Sequence, residues 1–101
     1  MSLITVDYGE VSGGGGTPIA GEKATQDNPM SVPCTGNAVF GFAYGWNTNT
    51  ISVGSMKDGV ISWEKNVLNI NNNSDFTLTY ANGTLTFITA SWDIDYVVLA
   101  N

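Results

Sequence analysis

Alternation of apolar and polar residues dominates this chain, and it is clearest in the stretch FTLTYANGTLTFIT, from Phe76 to Thr89. Its centre, Asn82-Gly83, tolerates the positive φ angles of a type I′ turn. A two-residue loop there predicts that Tyr80 faces Leu85 and that Phe76 faces Thr89. The apolar face of this hairpin would consist of Phe76, Leu78, Tyr80, Leu85 and Phe87, and the opposite face mostly of Thr77, Thr79, Thr84 and Thr86.

A second alternating segment, residues 38–46 (AVFGFAYGW), has an aromatic residue at every other position: Phe40, Phe42, Tyr44 and Trp46. As a strand it has one aromatic face and one face of mostly small residues. We expect the aromatic face to line the core against the hairpin, with an exposed binding platform as the alternative. The small face would let another sheet or chain approach closely.

Shorter patterns predict strands at 50–53, 60–64, 67–70 and 96–100, with turns at 57–59 and 71–74. The run at 96–99 is apolar without alternation, which indicates an internal strand or one covered by a partner. Three prolines interrupt residues 17–37. We therefore predict a loop there, with one short strand near Thr17–Ala20. Together the short strands predict an all-β antiparallel sandwich, or a jelly-roll-like fold, over residues 17–101.

Residues 1–16 form a separate unit in this interpretation. The segment LITVDY supplies the apolar residues Leu3, Ile4, Val6 and Tyr8, and residues 9–16 end in four consecutive glycines. Glycine runs have no side chains to bury. Either they are a flexible linker, or they release an extended N-terminal arm that pairs with a neighbouring subunit.

Composition narrows the chemistry. Only 12% of residues are charged, and the net charge is −6 with three lysines and no arginine, so nucleic acid and anionic membrane surfaces are not expected partners. The chain has no histidine and one cysteine, Cys34, which excludes histidine-dependent triads and an internal disulfide. We therefore expect no enzyme activity and no cofactor.

Asp93 and Asp95 flank Ile94, so in an extended strand both carboxylates project to one side. They are a weak candidate for Ca²⁺, which takes six to eight oxygen ligands, and a solvated strand edge is the alternative. The same carboxylates, or Asp58 with Glu64, would serve a glycosidase only in a cleft that a small sandwich rarely builds.

Aromatic stacking on sugar rings is the other candidate chemistry. Trp46, Trp63 and Trp92 are its candidate residues, against the alternative that they belong to the core or to a subunit interface. The start of the chain has no signal-peptide pattern, and residues 31–56 are too interrupted for a membrane helix. We therefore expect synthesis in a host cytoplasm without secretion, and we interpret the two Asn-x-Ser/Thr sequons as turns.

The opening MSLITVDYGEVSGGGG resembles the N-termini of small virion-structure proteins of bacteriophages and prophages of Gram-positive bacteria, and the closing WDIDYVVLAN looks like the last strand of such domains. The resemblance implies a non-enzymatic virion component: a head-decoration, tail, baseplate or fibre-associated protein. It implies a homo-oligomer, with a trimer favoured, in contact with other virion proteins and in some cases with a host surface glycan. The alternatives are a glycan-binding or receptor-binding module and an inhibitor of a host defence protein.

Overall fold

A computed structural model describes residues 17–20, 23–45 and 47–100, which form nine β-strands in two antiparallel sheets. The predicted all-β sandwich class is confirmed. The predicted arm, residues 1–16, and Trp46 lie outside the described residues. The strands are β1 (Thr17–Ala20), β2 (Lys23–Ala24), β3 (Met30–Pro33), β4 (Ala38–Tyr44), β5 (Asn47–Lys57), β6 (Val60–Asn66), β7 (Phe76–Ala81), β8 (Thr84–Thr89) and β9 (Ile94–Ala100).

The large sheet has the strand order β1-β9-β4-β5-β6, and β2 also pairs with β9. At its centre Phe40 lies opposite Val98 on one side and Gly54 on the other. Gly54 is required there, because a Cβ would lie 2.6 Å from the Ser62 carbonyl oxygen and 2.7 Å from the Trp63 ring. The predicted internal position of the 96–99 run is confirmed, since β9 lies between β4 and the β1–β2 side.

The small sheet has the order β3-β8-β7, and its β7–β8 hairpin has the predicted register. Tyr80 pairs with Leu85 and Phe76 with Thr89. Asn82 and Gly83 take φ angles of 54° and 76°, as a type I′ turn requires. The predicted turn at 57–59 has the same geometry: Asp58 and Gly59 take φ angles of 52° and 81° between β5 and β6.

The core lies between the two sheets, and the predicted contact between the aromatic strand and the hairpin is confirmed. Phe42 stacks on Phe87 with ring centroids 4.4 Å apart, and Trp63 packs edge-on against Phe40 at 5.4 Å. Each fully buried large apolar side chain contributes roughly 1.5–3 kcal/mol relative to an exposed one. The burial of these aromatic rings is therefore a main source of the fold's stability.

Three predictions of strand position need correction. Residues 67–70 are turns and not a strand, because Asn69 takes a φ of 59° and the Asn66 side chain holds the backbone of Ile70. Residues 17–37 contain the strands β2 and β3 in addition to the expected strand β1. The expected strand at 50–53 is the middle of the 11-residue β5.

One short connector ties the two sheets together at their hairpin tips. Residues 34–37 link β3 to β4, and the Cys34 amide donates to the Gly83 carbonyl oxygen of the small-sheet hairpin at 3.0 Å. The Gly59 amide of the large-sheet hairpin donates to the Gly36 carbonyl oxygen at 2.9 Å, and the Tyr80 hydroxyl donates to the Cys34 carbonyl oxygen at 3.1 Å. This end of the sandwich is therefore closed by main-chain hydrogen bonds.

Candidate functional site

The two aspartates of the calcium hypothesis do not form part of a metal cluster. Asp93 is exposed in the loop before β9, whereas Asp95 lies within β9, opposite Ala43. Among the described residues, no three histidine, cysteine, aspartate or glutamate side chains are close enough to hold a metal ion together. The pair therefore has no third charged ligand in this part of the chain.

The tryptophans of the glycan hypothesis lie in different surroundings. Trp63 packs on the core rings of Phe40 and Phe42. Trp92 is 52% exposed, and its ring lies edge-on to Tyr44 with centroids 6.3 Å apart. The Thr89 hydroxyl fixes the Trp92 backbone by donating to its carbonyl oxygen and accepting from its amide. Trp92 with Tyr44 is thus the described part of any stacking surface.

The asparagine-rich loop between β6 and β7 is a structural element. The Asn71 side chain both donates to the Leu78 carbonyl oxygen and accepts from the Leu78 amide, each at 2.9 Å. This pairing imitates a neighbouring strand along the β7 edge. The Asn66 side chain accepts from the Ser52 hydroxyl and the Ile70 amide. These two asparagines therefore satisfy backbone groups in the fold.

The most distinctive surface is the outer face of the large sheet, which points away from the core. The register places Val39 opposite Leu99 and Ser55, and Gly41 opposite Val53 and Val97, so these positions share one side. We call the following set the aliphatic face: Val39, Ile51, Val53, Val97 and Leu99.

The aliphatic face has a shallow centre and a charged rim. Gly41 has no side chain and lies between Val53 and Val97, the two branched residues of the neighbouring strands. Asp95 lies on the same side in β9, and Lys65 lies opposite Val53 in β6. The surface is therefore an uncharged aliphatic area across three strands, with one acidic residue, Asp95, and three lysines, Lys23, Lys57 and Lys65, at its margins.

Burial on this face is deepest on the central strand β4. Val39 and Ala43 are each 1% exposed, yet neither belongs to the core cluster between the sheets. Every other described strand either belongs to the large sheet or lies in the small sheet on the opposite side of the core. A one-sided antiparallel sheet normally presents polar residues outward. The aliphatic face, whose residues Val53, Val97 and Leu99 remain partly exposed, is therefore an apolar surface suited to a partner.

The outer face of the small sheet has the opposite chemistry. Cross-strand pairs place Thr79 opposite Thr86 and Ala81 opposite Thr84, and Ser31 lies opposite Thr86 on the other side. We call the following set the threonine face: Ser31, Thr77, Thr79, Thr84 and Thr86. Hydroxyl groups of this kind hydrogen-bond to water without needing a protein partner.

The single thiol lies at the closed end of the sandwich. Cys34 is partly buried and packs against the core. Burial raises the pKa of the Cys34 thiol, and a hydrogen bond with the Leu85 backbone partly offsets this effect. The thiol is therefore kept neutral at pH 7, which is the opposite of activation as a nucleophile.

The sequence contained a signal for the aliphatic face. The contiguous run 96–99 indicated an internal strand or one covered by a partner, and the small residues of β4 indicated a close approach of another sheet or chain. The missing information was the pairing of β5 and β9 on either side of β4, which brings Ile51, Val53, Val97 and Leu99 together.

Comparison with family models, with curated proteins and with solved structures gives no match. In the described part of the chain, no helix is long and apolar enough to cross a membrane.

Proposed function

We propose that this protein is a non-enzymatic structural subunit that assembles as a symmetric homo-oligomer in a bacteriophage or prophage particle. The observation that carries the assembly part is the aliphatic face, whose residues Val53, Val97 and Leu99 are partly exposed on the side of the large sheet away from the core. Faces of this kind in one-domain proteins are typical of protein–protein contacts. The assignment to a phage particle rests on the N-terminal resemblance.

The low charge of the chain agrees with close packing of identical copies. Only 12% of residues are charged while the net charge is −6, so repulsion between copies is confined to a few positions. The aliphatic face itself is uncharged at its centre. Symmetric assemblies repeat one modest interface many times, which an apolar area of five residues suits.

The assembly proposal is tested by light scattering of the full chain across a wide concentration range, and a trimer is the favoured result. A chain lacking residues 1–16 is then tested for incorporation into particles of the phage or prophage that encodes it, and we expect incorporation to be lost. Monomer at every concentration, together with normal incorporation of the shortened chain, would contradict the proposal.

A glycan-binding module is the second candidate function, and the exposure of Trp92 favours it. An indole that is 52% exposed beside Tyr44, with Asp93 next in the chain, has the aromatic and polar groups that stack on and hydrogen-bond to sugars. Titration with cell-wall polysaccharide would quench tryptophan fluorescence in the native chain, and Trp92→Ala would remove the response. Unchanged fluorescence and no retention on a broad glycan array would remove this candidate.

A further inference from the structure

We propose that the aliphatic face is the docking surface for the N-terminal segment Leu3–Tyr8. This deepens the proposed function and rests on it in one respect: in the assembled oligomer, the segment comes from a neighbouring copy. The described residues supply the receptor side, which is Val39, Ile51, Val53, Val97 and Leu99.

The first argument is the burial of Val39 and Ala43. Both are 1% exposed on a side of the sheet where no described strand packs. The described ranges begin at Thr17, so sixteen residues precede them. Around these two positions Val53, Val97 and Leu99 remain partly exposed, so the face has apolar surface for an occupant, and the sixteen preceding residues are the longest stretch of this chain outside the described residues.

The second argument is the match of pattern and length. Ile4, Val6 and Tyr8 occupy alternate positions, so in an extended conformation they present one apolar row. That row is about 13 Å long at roughly 3.3 Å per residue. The stretch of β4 from Val39 to Ala43 has the same number of residues. Rows of equal length bring apolar groups into contact along the whole of the segment.

The third argument is reach. Thr17 pairs with Ala100, one residue beyond Leu99 of the aliphatic face. The eight residues 9–16 span at most about 26–29 Å when extended. The three strands of the face are only about 10 Å across, from β5 to β9. The linker is therefore long enough for the segment to reach the aliphatic face of its own copy, and that of any copy that lies within the same distance.

Charge disfavours the main rival, in which two aliphatic faces pack directly on each other. Each copy has a net charge of −6, and at the margin of the face three lysines, Lys23, Lys57 and Lys65, outnumber the one aspartate, Asp95, so two identical faces would bring like charges together. Direct packing would bring two such domains together over their full width. A six-residue segment brings one carboxylate, Asp7, and hence less repulsion.

Photo-cross-linking tests this inference independently of strand register. A benzophenone maleimide is attached to the thiol that Val6→Cys introduces into a Cys34→Ser chain. The labelled protein is irradiated, and the cross-linked residues are identified by mass spectrometry. We expect at least tenfold more cross-links to residues 39–43, 51–55 and 97–99 than to the threonine face at 77–79 and 84–86. A probe attached through Asn72→Cys, in the exposed loop, gives the background.

Mixing ¹⁴N- and ¹⁵N-labelled chains shows which copy donates the segment. Cross-links between differently labelled chains support both the docking surface and the proposed assembly. Cross-links to the aliphatic face only within one chain support the docking surface and contradict the exchange between copies. Cross-links at background level, or concentrated on the threonine face, would overturn the inference whatever the oligomeric state.

Discussion

The two sheets of this protein present outward faces of opposite chemistry. The threonine face of the small sheet carries mostly hydroxyl groups, with the half-exposed Ile88 opposite Thr77. Thr79 on the edge strand β7 is exposed, and Thr86 on the central strand β8 is half-buried. The aliphatic face of the large sheet carries branched apolar residues, and its residue Val39 is 1% exposed. Both faces point away from the same core. The threonine face shows what a solvated surface looks like in this protein, so the aliphatic face requires a different explanation.

The edge strands of the two sheets also differ in how their outer groups are covered. The β7 edge of the small sheet is partly occupied by the Asn71 side chain, which hydrogen-bonds both main-chain groups of Leu78. The β6 edge of the large sheet carries Val60, which is 66% exposed. The β7 edge of the small sheet is thus partly satisfied by the described chain. Exposed apolar side chains remain on both sheets, Val60 on the large one and Ile88 on the small one.

The largest expected effect comes from placing a charge on each face in turn. Val39→Asp puts a carboxylate at a fully buried position without a cationic partner, and we expect the free energy of unfolding to fall by about 3 kcal/mol or more. Thr79→Asp on the threonine face should change it by less than about 0.5 kcal/mol. Urea denaturation measures both. Equal small losses would show that the aliphatic face is as solvated as the threonine face.

A smaller effect is expected from opening the β7 edge. Asn71→Ala removes two hydrogen bonds to Leu78 and leaves alanine at a φ of 67°. We expect a loss of about 2–3 kcal/mol in the free energy of unfolding. The matched control is Asn72→Ala, an exposed neighbour, for which a change under about 0.5 kcal/mol is expected. A similar loss for both variants would refute the edge-closing role of Asn71.

The smallest expected change in stability comes from substitutions in the hairpin turns of the two sheets. Gly83→Ala introduces a methyl group into open space at a φ of 76°, so only the backbone conformation is penalised. We expect a loss of about 1 kcal/mol. Gly59 has a φ of 81°, and a methyl group there would meet only the Tyr80 ring, at the ordinary contact distance of 3.7 Å. Gly59→Ala should therefore lower the free energy of unfolding by a similar amount, which thermal denaturation of both variants measures. A much larger loss at one site would reveal strain specific to that sheet.

The sequence was informative where local chemistry decides the structure. Asn82-Gly83 set the turn, the turn set the register, and the alternation of Phe76, Leu78 and Phe87 placed the apolar face inward. The turn at Asp58-Gly59 followed from the same chemistry. In both hairpins the pairing partners are close in the chain, so a short window contains the information.

The sequence was less informative where distant groups decide. Residues 67–70 resemble a strand by alternation, but the Asn66 side chain holds the Ile70 backbone. The Leu68 amide donates to the hydroxyl of Ser52, which is 16 residues earlier in the chain. The strand β2 depends on pairing with β9, which follows about 70 residues later, and β3 depends on β8, about 55 residues later. The aliphatic face was missed for the same reason, since it needs three strands in one order.

Sedimentation velocity of the native chain beside Val97→Asp and Thr86→Asp tests the central claim most directly. Val97 is half-buried on the aliphatic face, and Thr86 is half-buried on the threonine face, so the pair is matched in exposure. We expect the native chain and Thr86→Asp to sediment as the same oligomer. Val97→Asp should already be monomeric at concentrations at least tenfold above those at which the native oligomer dissociates. Identical sedimentation of all three proteins would contradict assembly through the aliphatic face.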